Sequence, residues 1–485
     1  MLAILHYVGR DATDEIEAYH DETTLRRVIG FAVGRVEIGD TGWEPFIPPV
    51  QTGWVRRQVD SNPHNHSRSE ILLVKKQPKC GDNGNACGPG LSTITPPPSS
   101  LSLIEQTQHA RAYRELHRGI LKAGLYQTPY LAGYGPEFAR YFSLALLSCF
   151  FYSRGWFVCS ALFLGLLWHQ LTFIAHDLGH MGVTHNWVLD RLAGIIIAGC
   201  CGGLSIGWWV DNHNIHHLVT NHPTHDPDIQ HIPFFAISPA FFRSLYSSYY
   251  ERIMSIDAVS RFLLPIQHRL YYIVLSLARF NLYANSYWFL WKQGFKLHKR
   301  LWTWWAEIAA IVSYWTWYCA AVKGCGHWKS GLAFVLVSHV VASPVHVQIV
   351  LSHFSRSTAD LGPTESFVDR QLRTTSDVIC SPSVEFIHGG LHLQVTHHLF
   401  PRLPRHNLRQ ASIMVKEFAK EQGLDYAEFK WVEGNREVLG VLESVAEQAK
   451  IFSIVAKSEV QSKMNGGVLK VDSIDDRVHP DPSVG

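Results

Sequence analysis

Apolar and polar positions in this chain come in long blocks, and the blocks outline its architecture. Residues 156–175 form a twenty-residue run without a formal charge, long enough for a helix to cross bilayer hydrocarbon. The run before it, 138–152, is shorter and carries Arg140, which can snorkel to an interface. With Ser153, Arg154 and Gly155 between them, the two predict a tight helical hairpin. Runs 302–322 and 331–351 predict a second hairpin, turning over 323–329. Each hairpin returns the chain to its starting side. Run 192–210 is also low in charge, but its glycines and Trp208 and Trp209 predict an interfacial or re-entrant segment. Run 271–278, between Arg269 and Arg279, is too short to span and is predicted to be interfacial.

Helical spacing also marks 103–123, with Gly124 as its stop, and the amphipathic stretches 407–422 and 433–450, which predict a cap over one face. Residues 55–102 are rich in Pro, Ser, Gly and Asn, lack an apolar period and predict a disordered linker. The chain from 458 on is polar and predicted to be loose.

Composition changes this picture little. A net charge of +2 gives no reason to expect a nucleic-acid partner. The nine cysteines are an odd number, and Cys149, Cys159, Cys200, Cys201 and Cys319 sit in apolar surroundings, which reads as a reduced compartment and not a disulfide framework. Cys80 and Cys87 lack a second pair and are read as free thiols. The opening residues are too short an apolar run for a signal peptide.

Histidine placement carries the chemistry. Ten of the 28 histidines fall between His169 and His231, a density that neither a solvated loop nor an apolar core requires. His176 with His180, and His213 with His216 and His217, have the spacing that puts imidazoles on one helical face. A third block, Gln394, His397 and His398, lies far downstream, after His388 and His392. Asp177, Asp226 and Asp228 are placed to hold the outer ring nitrogens. Many imidazoles and no cysteine argue against a structural zinc and suit a pair of ferrous ions.

The blocks His-x-x-x-His, His-x-x-His-His and Gln-x-x-His-His resemble the histidine boxes of membrane fatty-acyl and sphingolipid desaturases, and the Gln resembles the front-end branch. The text around them, from His180 through Gly203-Leu-Ser-Ile-Gly-Trp-Trp to His225-Asp-Pro-Asp, is similar to fungal delta-8 sphingolipid desaturases. The resemblance implies a mainly α integral membrane fold with four transmembrane helices in two hairpins and a cytosolic helical cap. It implies two non-haem iron ions held by His176, His180, His213, His216, His217, His353, His388, His397 and His398, with Gln394 beside them. The implied reaction is O2-dependent insertion of a double bond at delta-8 of the sphingoid base of ceramides. Electrons would come from NADH through cytochrome b5 reductase and a cytochrome b5, and the implied location is the endoplasmic reticulum membrane with the site facing the cytoplasm. The alternatives are a delta-5 or delta-6 front-end acyl desaturase, a lipid hydroxylase, or a non-catalytic membrane metal or haem protein.

Asp11 to His20 resembles the second half of a cytochrome b5 domain, with His20 at an axial position for haem b. No His-Pro-Gly-Gly occurs in the chain to supply the other axial ligand, so the expectation is a truncated or haem-free module and a separate cytochrome b5 as donor. The expected organisation is a partial cytochrome b5-like domain at 1–54, a linker at 55–102, a membrane desaturase domain at 103–457 and a tail at 458–485.

Overall fold

The computed structural model describes residues 2–51 apart from 38 and 41, the strands Trp54–Val59 and Glu70–Lys75, and 94–464 apart from 97–98, 243–244 and 297–300. Cys80, Cys87, Lys299, Arg300, most of the expected linker and residues 465–485 of the expected tail lie outside the described residues. The architecture is mainly helical.

The helix Phe157–Gly179 is the central element, packed between Gly135–Ser153 and Trp328–Ala342. It approaches Trp328–Ala342 closely at Gly165, where a Cβ would meet the Ser338 carbonyl at 2.6 Å. A small residue is needed wherever two helix backbones come this near. Among the described residues, Phe157–Gly179 and Trp328–Phe354 are long and apolar enough to cross a membrane. Trp302–Gly324 forms where the second hairpin is predicted, and its Glu307 is buried. That carboxylate accepts hydrogen bonds from Ser205 Oγ and from Gly207 N, the latter at 3.1 Å, at the start of the helix Ile206–Leu218. A helix N-terminus is where an anion is stabilised.

The segment expected to be re-entrant is sharply bent. Trp187–Cys201 and Ile206–Leu218 meet at 113°. Gly203 makes the corner with φ +70°, and a Cβ there would lie 2.4 Å from the Tyr314 ring, so only glycine fits both the left-handed backbone and the space. The bend turns the second histidine block back toward the first.

Three stretches carry more regular structure than their sequence suggests. The short run 271–278 belongs to two helices, Gln267–Ser276 and Ala278–Gly294. Arg279, which reads as a polar boundary, is 4% exposed; it donates to the Gly202 carbonyl at 2.7 Å and lies over Trp168. Within the expected linker, Trp54–Val59 pairs antiparallel with Glu70–Lys75. The final helix runs Trp431–Met464, past the predicted start of the loose tail. Its Val438, Leu442 and Val445 pack against Phe235, Tyr271 and Phe354.

The N-terminal segment packs onto the rest of the chain. Ala18 joins a core with Tyr113, Leu399 and Phe400. Tyr7 donates to the Leu218 carbonyl at 2.5 Å, and Arg114 pairs with Asp14. Arg114 lies on Leu103–Lys122, the helix predicted at 103–123, which starts on a Ser102 cap and is followed by Gly124 at φ +70°.

Candidate metal centre

Four helices deliver the histidines. His176 and His180 end the helix Phe157–Gly179, His213, His216 and His217 occupy the last two turns of Ile206–Leu218, and His353 ends Pro344–Phe354. His397 and His398 ride on the short helix Gln394–Leu399. All eight are buried.

They form two groups. The ligand-capable atoms of His176, His180, His213 and His397 lie within 4.8 Å of one another, and so do those of His216, His353 and His398. His217 sits between the groups: its Nε2 is 3.0 Å from His213 Nε2 and 3.2 Å from His397 Nε2, and its ring stacks on His398 at 4.0 Å. Such crowding of ring nitrogens is what a cation would resolve. His176 Nδ1, His180 Nε2, His217 Nδ1 and His398 Nε2 are buried without a hydrogen-bond partner. Buried polar atoms are rarely left unpaired, so these orphaned donors, all nitrogen and all imidazole, fit a metal centre. Burial first, then neighbouring histidines, hold His180, His397 and His398 far below the usual imidazole value. Their neutral rings have the lone pair that a metal requires.

The groups differ in how their rings are held. His216 Nδ1 is 2.9 Å from Asp226 Oδ2, His353 Nδ1 is 3.2 Å from the Thr374 carbonyl, and His398 Nδ1 is 3.0 Å from Gln371 Oε1. Each contact fixes a tautomer and turns Nε2 inward. In the four-histidine group only His213 has such a contact, a long one of 3.5 Å to Asp228; Trp209 packs on its ring at 4.3 Å. Asp177 departs from expectation: it accepts from Tyr134 and Arg405 at 2.7 and 2.8 Å, while His176 Nδ1 stays 3.6 Å away. A guanidinium and a phenol outcompete a neutral imidazole for the carboxylate.

Among the remaining candidates, Gln394 is buried and opens the helix of His397 and His398. His388 is not part of either group; its Nδ1 is 2.8 Å from Gln348 Oε1 and its ring lies against Trp431. His20 is half-buried at the end of the helix Thr13–Tyr19. His6 is committed elsewhere, with its ring edge-on to His225 at 4.7 Å. His339 is satisfied internally, stacked on Phe280 with Nδ1 2.8 Å from the Val335 carbonyl. Sequence reasoning missed Gln371, which also donates to the His217 carbonyl at 2.7 Å, and Tyr19, whose ring meets His217 edge-on at 6.3 Å. Neither belongs to a motif with a readable spacing.

A family model described as fatty acid desaturase matches residues 154–430, a stretch that contains every one of these eight histidines. The chain belongs to the fatty acid desaturase family. A delta 8-(E)-sphingolipid desaturase of Emericella nidulans is 43% identical over 95% of this chain and 90% of its own length. One from Komagataella phaffii is 42% identical over 93% and 88%. Delta(8)-fatty-acid desaturase 1 of Arabidopsis thaliana is 34% identical over 75% of this desaturase and 81% of its own length. These relatives and the apolar helices fit an oxidoreductase acting on lipid in a membrane.

Proposed function

We propose that the chain is a di-iron desaturase that places a double bond at delta-8 of the sphingoid base of ceramides. The observation that carries this reading is the pair of adjoining imidazole groups bridged by His217. His176, His180, His213 and His397 would hold one iron, and His216, His353 and His398 the other, with Gln394 beside them. When bound, the irons supply an O2-derived oxidant able to take hydrogen from an unactivated methylene, which no side-chain acid or base can do. The chain's own residues orient and shield. Asp226, Gln371 and the Thr374 carbonyl fix the rings of the second group, while Tyr19 meets His217 edge-on and packs against the core that holds Phe400.

The membrane domain is taken as 103–457, with the helices Gly135–Ser153, Phe157–Gly179, Trp302–Gly324 and Trp328–Phe354 as four spans in two hairpins. Lys292 and Lys296, ahead of the third, favour a cytoplasmic face for the histidines, and the endoplasmic reticulum is the proposed location. Electrons are proposed to come from NADH through cytochrome b5 reductase and a cytochrome b5. His20 is the position at which segment 1–54 would meet haem b.

Feeding isotope-labelled ceramides and fatty acids to yeast expressing the chain tests the reading. The expected product is a delta-8 unsaturated sphingoid base by mass spectrometry. Unsaturation or hydroxylation confined to the acyl chain would overturn it.

A further inference from the structure

A third cluster of ligand-capable atoms lies outside the two imidazole groups. Cys380 Sγ, a Glu385 carboxylate oxygen and a His392 ring nitrogen fall within 4.8 Å of one another. The thiol is free and partly buried, between the strand Asp377–Ile379 and the turn Pro382–Val384. Glu385 opens the one-turn helix Glu385–His388, and its Oε1 is 3.4 Å from His392 Nε2. His392 is 2% exposed, and neither of its ring nitrogens has a hydrogen-bond partner. An imidazole this buried with both nitrogens unpaired is costly unless something binds it.

The backbone is shaped to bring these groups together. Gly389 and Gly390 take φ of +55° and +81°, and a Cβ on Gly389 would meet the Phe173 ring at 2.1 Å. The reversal returns His392 toward Cys380, and the Val378 amide donates to the His392 carbonyl at 2.8 Å. Two residues later the chain enters Gln394–Leu399, the helix that delivers His397 and His398.

We propose that Cys380, Glu385 and His392 bind one borderline-soft divalent cation, of the class of Zn2+, which staples the loop 380–392 and sets the register of the helix Gln394–Leu399. Sulfur, carboxylate and imidazole donors together suit zinc, whose fourth tetrahedral position a water would fill. Binding displaces one proton, from the Cys380 thiol, and no electron moves. Arg409 contacts the same Glu385 oxygen, Oε1, that faces His392, and so steadies the carboxylate beside it. The site is separate from the iron chemistry and would act by positioning.

The test uses the full chain, purified in detergent and equilibrated with micromolar zinc. Elemental analysis of the wild type, Cys380→Ser and His392→Gln is expected to show one zinc per chain lost in both variants, with iron unchanged. Peptide-resolved alkylation of the wild type supplies a readout that needs no variant: zinc is expected to slow modification of Cys380 about tenfold or more, because a metal-bound thiolate is withdrawn from attack. Equal zinc in all three chains, or Cys380 alkylated at the same rate with and without zinc, would overturn the proposal.

Discussion

The two imidazole groups are built from the same residue type, yet they are held in different ways. In the three-histidine group each ring is tied through Nδ1 to a carboxylate, a carbonyl or an amide on a neighbouring element. In the four-histidine group, ring-on-ring and ring-on-Trp209 packing does most of the orienting, and His176 and His180 keep unpaired nitrogens. The first arrangement is set before metal arrives. The second leans on the metal to finish it, so loading the two pockets should respond differently to mutation.

His217, which touches both groups, gives the largest expected effect. His217→Ala should abolish product and lower iron below two per chain, with membrane insertion intact by fractionation; full activity would remove the residue from the centre. Asp226→Asn comes next. It should weaken iron binding in the three-histidine group by about 10–100-fold, the usual range for a partner behind a ligand, while the four-histidine group still fills. Titration with ferrous iron should then resolve two affinities where the wild type shows closer ones. Equal weakening of both would mean that the groups are not independently preorganised.

His388→Ala should leave iron content unchanged and alter activity only modestly, since that ring is tied to Gln348 and lies outside both groups. Loss of iron would restore it as a ligand. The smallest effect concerns the docked N-terminal segment. Burial raises Glu15 to about 7, above its unfolded value, so its contribution is present at low pH and is lost as pH rises through about 7. Protection factors in Thr13–Tyr19, corrected for intrinsic exchange, should fall between about pH 4.5 and about pH 7 in the wild type and much less in Glu15→Gln.

Much of the site was legible in the sequence because helical spacing and chain parity are local quantities. His176 with His180, and His213 with His216 and His217, share faces whatever the rest of the chain does. The helix over 103–123 was equally legible from its period and its Gly124 stop, while the Ser102 cap at its start was not read from the sequence. The identity of each ring's outer partner was not. Asp177 carries the same expectation as Asp226, yet Arg405, 228 residues away, takes it. Arg279 looks like the end of an apolar run until Gly202 and Trp168 are seen to receive it. His388 sits in a family-like motif but faces Gln348.

The sequence alone determined which side chains could bind metal and on which helical faces they stand, because those depend on bond geometry within a few residues. Only the tertiary structure decided which imidazoles share a pocket, which carboxylate steadies which ring, and that the N-terminal segment lies against His217 and Leu218. Such pairings join residues far apart in the chain, and their outcome depends on competition among charges, hydrogen bonds and packing that no local pattern contains.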